Sequence, residues 1–171
     1  PTPIFLLALL AAGCATLAPP SAPLPQLTRA PEAFEMSGRI AIRQADRSDI
    51  AKLRWIHHAD RDVWAIASPV GNEVARIESG RAGVVVTQAG APPEQAPSFE
   101  ALTEKMLGVP LDPRTLSAWL HDKPGDAPGD WRVTIDETQQ AGAVTLARRI
   151  TATRGEVTVR LVVDEYQALQ E

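Results

Sequence analysis

The stretch KLRWIHHADRDVWAIASPVGNEVARIESGRAGVVVTQ, residues 52–88, decides the fold. Its apolar residues recur with period two. In KLRWIHH, Leu53 and Trp55 fall on one face and Lys52, Arg54 and Ile56 on the other, the pattern of a strand buried on one side. A short polar turn containing Asp60 and Arg61 leads into DVWAIAS. NEVARIE and GVVVTQ follow, separated by the turn SGRAG. Short strands joined by short turns predict an antiparallel meander. One turn is unusual. Between Pro69 and Gly71 sits Val70, an apolar β-branched residue at what should be the wettest point of a hairpin, where Asn, Asp, Ser or Gly is the rule.

Upstream, FEMSGRIAIR places Met36, Ile40 and Ile42 on one side, which makes five strands in a row. Downstream the period changes. Ser98 caps a predicted helix through FEALTEKML that Gly108 ends, with Phe99, Leu102, Met106 and Leu107 as its apolar stripe. A second predicted helix has Asp112 as cap and Pro113 in its first turn, and runs through RTLSAWL. HDKPGDAPGD, with His121, reads as loop. Strands resume with WRVTID, VTLARRITATR and EVTVRLVVDEY, the last two joined at Arg154-Gly155. Two clustered helices are too few for repeated βαβ units. The expected fold is mainly β (α+β): an incomplete, strongly curved antiparallel β-barrel with the helices as a lid on its open side.

The length of 171 residues and an apolar content of 44% suit one domain with a real core. The net charge is -4 and no long basic run exists, which argues against nucleic acid as a partner. The one cysteine, Cys14, rules out an intramolecular disulfide and a cysteine-based zinc site. His57 and His58 are adjacent on a strand, so they point apart and cannot share a metal. The chain contains no G-x-S-x-G elbow and no glycine-rich phosphate loop. No residue nominates itself as catalytic, as a metal ligand or as a cofactor site, and the chain is not expected to be an enzyme. Trp55, Trp64, Trp119 and Trp131 suit either a core or the lining of an apolar cavity.

Residues 4–13, IFLLALLAAG, are unbroken apolar and too short to span a bilayer, which takes roughly 20 residues. They fit the h-region of a signal peptide. LLAAGC resembles a bacterial lipobox, in which the cysteine is lipidated and becomes the mature N-terminus. Ala15 after it matches lipoproteins destined for the outer membrane. Residues 1–13 are therefore expected to be a signal peptide, truncated because the sequence opens Pro1-Thr2-Pro3. Residues 14–33 are expected to be the lipidated Cys14 and a Pro/Ala-rich tether reaching up to roughly 55 Å. Residues 34–171 are the expected folded domain.

SGRIAI, LRW, ASPVGNEVARIE, LTEKMLGVPLDPRTLSAWL, WRVTI and RLVVDEY, in this order behind a lipobox, resemble the LolB family of outer-membrane lipoproteins. The resemblance covers roughly Phe34 to Tyr166. That family commonly carries leucine at the position of Val70, Gly at that of Asp122 and Trp near that of Tyr166. The resemblance implies a half-barrel whose helical lid covers a hydrophobic cavity. It implies receipt of acylated lipoproteins from a soluble periplasmic carrier (LolA-like) and their insertion into the outer membrane, without nucleotide or other cofactor. The protein would be a monomer, lipid-anchored in the outer membrane and facing the periplasm, with outer-membrane lipid as a further partner. Pro69, Val70 and Gly71 would form a membrane-insertion loop. Ile40, Ile42, Leu53, Trp55, Ile66, Trp119 and Val159 are expected to line the acyl-chain cavity. Other readings are an assembly lipoprotein that binds partners through an exposed strand edge, a lipid-sensing lipoprotein that passes no cargo onward, and a membrane-anchored hydrolase.

Overall fold

The computed structural model describes residues 25–122 and 129–170. The proposed lipidation site Cys14, the signal segment and most of the tether lie outside the described residues. The strands are β1 (Phe34–Gln44), β2 (Arg47–His58), β3 (Arg61–Ala67), β4 (Glu73–Gly80), β5 (Gly83–Gln88), β6 (Glu94–Ala96), β7 (Arg132–Ala141), β8 (Val144–Arg154) and β9 (Val157–Ala168). The helices are α1 (Phe99–Leu107) and α2 (Pro113–His121), between β6 and β7. One antiparallel sheet has the order β6-β5-β4-β3-β2-β1-β9-β8-β7. First and last strands pair within the sheet, Ile40 opposite Leu161, and β6 and β7 are left as the two open edges. The chain passes from one edge to the other through α1 and α2, so the helices lie between the two unpaired edges. The fold is the incomplete β-barrel with a helical cover that the strand–helix–strand order predicts.

Packing decides which face is inside. Ile40, Ile42, Leu53, Trp55, Trp64, Ile66, Ile77, Ile150 and Leu161 are all buried in one core. Both helix starts follow their capping residues. The Ser98 side chain accepts from the Ala101 N–H, and Asp112 accepts from the Thr115 N–H. Gly108, at φ 75°, takes the left-handed conformation that ends α1. The Thr103 hydroxyl accepts from the Leu111 N–H at 2.8 Å and so ties the segment between the helices to α1.

The structure departs from the sequence reading at several elements. β6 was not expected: EQA carries no alternation of apolar residues, and its pairing with β5, Val84 opposite Ala96, alone makes it a strand. β2 begins five residues earlier than KLRWIHH, at Arg47, through residues exposed on both faces. β7 runs on to Ala141 through register shifts near Glu137. His121 is not a loop residue. It is the last residue of α2 and is buried.

The end of the expected tether is also part of the body. The Thr28 N–H donates to the Thr145 carbonyl at 2.7 Å, and the Thr145 N–H donates to Thr28 Oγ1 at 3.0 Å. Leu27 packs against the core and the Ala33 carbonyl accepts from the Leu169 N–H. Proline and alanine composition hid this, because the docking rests on backbone groups and one threonine hydroxyl.

Gly38, in SGRIAI, has a structural reason. The β1–β9 register shifts between Ser37 and Gly38, and a Cβ at Gly38 would run into the Val162 carbonyl oxygen. The bulge brings the two backbones closer than any side chain allows. Gly38→Ala is expected to cost on the order of 2–3 kcal/mol by forcing this strand pair apart. Urea unfolding measures this. A midpoint equal to wild type would show that the bulge relaxes freely.

Candidate functional site

The β3–β4 turn, residues 68–72, is held by its own backbone. The Gly71 N–H donates to the Ser68 carbonyl at 2.8 Å, and the Ser68 N–H donates to the Asn72 carbonyl at 2.8 Å. Gly71, at φ 99°, supplies the positive dihedral that the turn needs. Backbone geometry therefore places no demand on Val70, and packing places none either, since Val70 is 83% exposed. It does not fold back onto the sheet. Leaving its side chain in water forgoes about 1.5 kcal/mol of burial.

An apolar cleft of about 260 Å³ opens beside this turn. Its walls include Ile40 and Ile42 from β1, Ile66 from β3, Pro69 from the turn, and Met106 and Leu107 from the end of α1. Ile50 and Val74 stand at its rim, 57% and 43% exposed. With Val70 they are the exposed large hydrophobic side chains among the described residues. Ile50 and Val74 border the opening and Val70 follows Pro69 of its wall, at the end of the sheet that carries the β1–β2 and β3–β4 turns.

The expected cavity residues divide. Ile40, Ile42 and Ile66 line the cleft. Leu53, Trp55, Trp119 and Val159 share the buried interior but do not line this cleft. Trp55 packs edge-on against Phe34 and Trp64, with centroids at 4.7 and 5.8 Å, and its indole N–H donates to Asp62 at 2.8 Å. Trp119 packs against Trp131 at 5.2 Å. Period two groups the residues of one face but does not say what stands over them: Leu53 pairs with Ile66 and Val159 with Ile42, yet of these only Ile66 and Ile42 line the cleft. Ile50 and Val74 were missed because each stands alone among polar neighbours. Only the pairing that brings β2, the β3–β4 turn and α1 together makes them a rim.

The opposite end of the barrel is polar and knotted. His121 Nδ1 lies 3.2 Å from the Thr28 carbonyl, and Nε2 lies 3.2 Å from the Tyr166 hydroxyl. A carbonyl only accepts, so Nδ1 carries the proton and Nε2 accepts from Tyr166. Phe34 stacks on Tyr166 at 5.2 Å and approaches His121 at 5.7 Å. One neutral imidazole thus joins the docked segment, α2 and β9. Burial lowers its pKa to about 4 and raises that of the Tyr166 phenol above its usual range. Nearby, His57 Nδ1 and Asp62 lie 2.7 Å apart, but the same Asp62 oxygen holds the Trp55 indole. Among the described residues no hydroxyl or thiol hydrogen-bonds His57, and no group of three His, Cys, Asp or Glu side chains is placed to hold a metal. No described helix is long and apolar enough to cross a membrane.

Comparison with known proteins adds the family. The family profile described as outer membrane lipoprotein LolB matches residues 32–166. The outer-membrane lipoprotein LolB of Chromobacterium violaceum is 35% identical over 178 residues, covering 96% of this chain and 97% of the relative. That of Thiobacillus denitrificans is 30% identical over 173 residues, covering 91% of each. Among solved structures, a DUF1329 family protein from Desulfovibrio piger superposes with a TM-score of 0.57 at 5% identity, over 81% of this chain and 86% of that one. At that identity the likeness concerns the fold alone.

The His121 knot makes a pH prediction. In the unfolded chain the imidazole titrates near 6.5; in the folded chain its pKa is about 4. Between these values the unfolded state binds more protons, so the stabilisation is complete above about pH 6.5 and is lost as pH falls towards about 4. Stability is expected to drop by about 2 kcal/mol between about pH 7 and about pH 5 from this group. His121→Gln should flatten that part of the profile in urea titrations. Parallel profiles for the two proteins would show that His121 is not the titrating group.

Proposed function

The chain belongs to the LolB family, and from that premise we propose that it is an outer-membrane lipoprotein that receives acylated lipoproteins from a periplasmic carrier and inserts them into the outer membrane. The observation that carries this reading is the apolar cleft opening beside a rigid turn with an exposed valine at its tip. A lipoprotein in water exposes acyl chains at a cost of about 0.8 kcal/mol per CH₂, tens of kcal/mol in total. Such a cargo needs an unbroken apolar path from carrier to bilayer. The cleft offers its first section, and Val70 marks where the path meets lipid.

Magnitudes separate the roles. Burying Val70 yields about 1.5 kcal/mol, roughly tenfold in partitioning. An acyl chain on Cys14 outweighs it many times, so Cys14 anchors and Val70 orients and perturbs the surface. The cleft, at about 260 Å³, lies below the roughly 300–1,000 Å³ of pockets that take drug-sized ligands. Several acyl chains therefore require Met106 and Leu107 to move, and α1 with them. Transfer needs no covalent step: the cargo runs downhill into the bilayer, so neither a catalytic residue nor a cofactor is invoked. The LolA-like carrier is the donor, and the acceptor works as a monomer facing the periplasm. An assembly role through a strand edge fits less well. β6 has three residues and β7 is broken by register shifts near Glu137, and both devices blunt an edge against further pairing.

Val70→Glu tests the insertion role. The variant is expected to take triacylated cargo from a loaded carrier as wild type does, but to deliver it to membranes at a small fraction of the wild-type rate. Undiminished delivery would remove Val70 from the mechanism. Failure of the wild-type protein to take cargo at all would remove the acceptor reading.

A further inference from the structure

The rim around the cleft carries charge as well as apolar side chains, and the charge is selective. On the outer face of the sheet several arginines are neutralised locally. Arg39 pairs with Asp164, Arg54 with Glu35 and Arg76 with Glu73. Lys52, Arg43 and Arg160 have no carboxylate within 4.0 Å among the described residues.

Strand register puts the three together. On the outer face, Lys52 lies opposite Arg39, and Arg160 lies opposite Ala41. The three cations therefore sit on the adjacent strands β2, β1 and β9, spread over about 10 Å across the strands and about 13 Å along them. Arg43 and Arg160 share a shallow depression with Ser48 and Thr158. Lys52 reaches towards the turn itself: its Nζ lies 3.8 Å from where a Cβ on Gly71 would stand. In a chain of net charge -4, an unneutralised cationic row that flanks the exposed Ile50 and reaches the Val70 turn through Lys52 is a local exception to the global charge.

We propose that the membrane contact is a composite footprint: Val70 enters the acyl layer, Ile50 and Val74 reach the interface, and Lys52, Arg43 and Arg160 hold the headgroups of anionic phospholipid. The proposal rests on the reading that this end of the barrel delivers to a bilayer. The occupant follows from the mixture of chemistries. An apolar tip flanked by long side chains that keep their stems on apolar surface and their charges outward matches a lipid–water interface. Three separated cations match a laterally mobile array of phosphates, which needs no fixed geometry. The footprint also fixes orientation, because tip and cations define a face rather than a point. The cleft then opens towards the bilayer rather than along it.

Vesicle flotation tests this with the full chain carrying Cys14→Ala, so that the anchor does not mask weak binding. Two vesicles are compared: phosphatidylcholine alone, and an equal mixture of phosphatidylcholine and phosphatidylglycerol. Wild-type surface is expected to favour the anionic vesicles, with salt eroding the preference. Each of Lys52→Gln, Arg43→Gln and Arg160→Gln should reduce that preference by up to about fivefold. Ile50→Ser and Val74→Ser should weaken binding severalfold to both vesicles alike. Equal binding of wild type to the two vesicles, or a triple cation variant with an unchanged preference, would overturn the proposal while leaving Val70 insertion intact. Cation variants that float normally but take cargo from the carrier more slowly would assign the cluster to the carrier instead. No binding of wild type to either vesicle would overturn both the footprint and the bilayer reading beneath it.

Discussion

The pairing of β1 with β9 is what the rest of the molecule depends on. It brings the two ends of the folded chain together within the sheet, Ile40 opposite Leu161 and Ile42 opposite Val159. With both of these strands inside the sheet, the free edges fall at β6 and β7, the strands that flank the helical segment in sequence. A sheet that curls without closing has one apolar face and no second sheet to bury it. Between its edges in sequence, the described helices are α1 and α2. The lid is therefore a consequence of strand order, and so is the way it is held: among the described residues α1 and α2 meet the strands by packing and by the His121–Tyr166 hydrogen bond, not by a backbone ladder. A cover of that kind can be displaced without unpairing any strand.

The two ends of the barrel are built on opposite principles. At the end where Thr28, His121 and Tyr166 meet, buried polar groups satisfy one another in a fixed protonation state, the arrangement that rigidifies and specifies a structure. At the other end the cleft walls are aliphatic and the rim is exposed. Aliphatic contacts are non-directional and reform readily after displacement. Stability is thus concentrated at one end and adaptability at the other, as a protein that must open repeatedly without unfolding requires.

How much of this was legible follows from the same distinction. Period two grouped the residues that share a face on β1, β2 and β3, because Ile40, Leu53 and Ile66 answer to local alternation; which face is inside came from the packing. Capping residues found both helices, because Ser98 and Asp112 act on N–H groups three residues away. The prominence of Val70 was also readable, since a valine between Pro69 and Gly71 breaks turn chemistry. What escaped was non-local. His121 looked like loop because its partners are Thr28 and Tyr166, distant in sequence. Ile50 and Val74 looked like isolated apolar residues until the register set them beside Val70. The division between cleft and packed core runs between cross-strand partners such as Ile66 and Leu53, and depends on where Met106 and Leu107 of α1 stand over the sheet, which no local pattern encodes.

The docked segment changes how the proposed anchor at Cys14 would constrain the domain. Were the whole stretch from Cys14 to Ala33 free, the barrel could stand well clear of the bilayer in any orientation. Docking begins by Leu27 and Thr28, and Thr28 sits beside Thr145, which follows the β7–β8 turn. In a meander, alternate turns fall at alternate ends, so this point lies at the end of the barrel opposite the β3–β4 turn. About eleven peptide steps then separate Cys14 from Pro25, a reach of about 34 Å in the polyproline II conformation. That is comparable with the length of β8, 11 residues at about 3.3 Å each. Were Cys14 held in the membrane that Val70 touches, a chain of that reach would leave little slack. A long tether would make contact a matter of chance. One of about a barrel's length permits contact chiefly in the orientation that turns the cleft towards lipid, so an interaction of only about 1.5 kcal/mol at Val70 suffices to choose it.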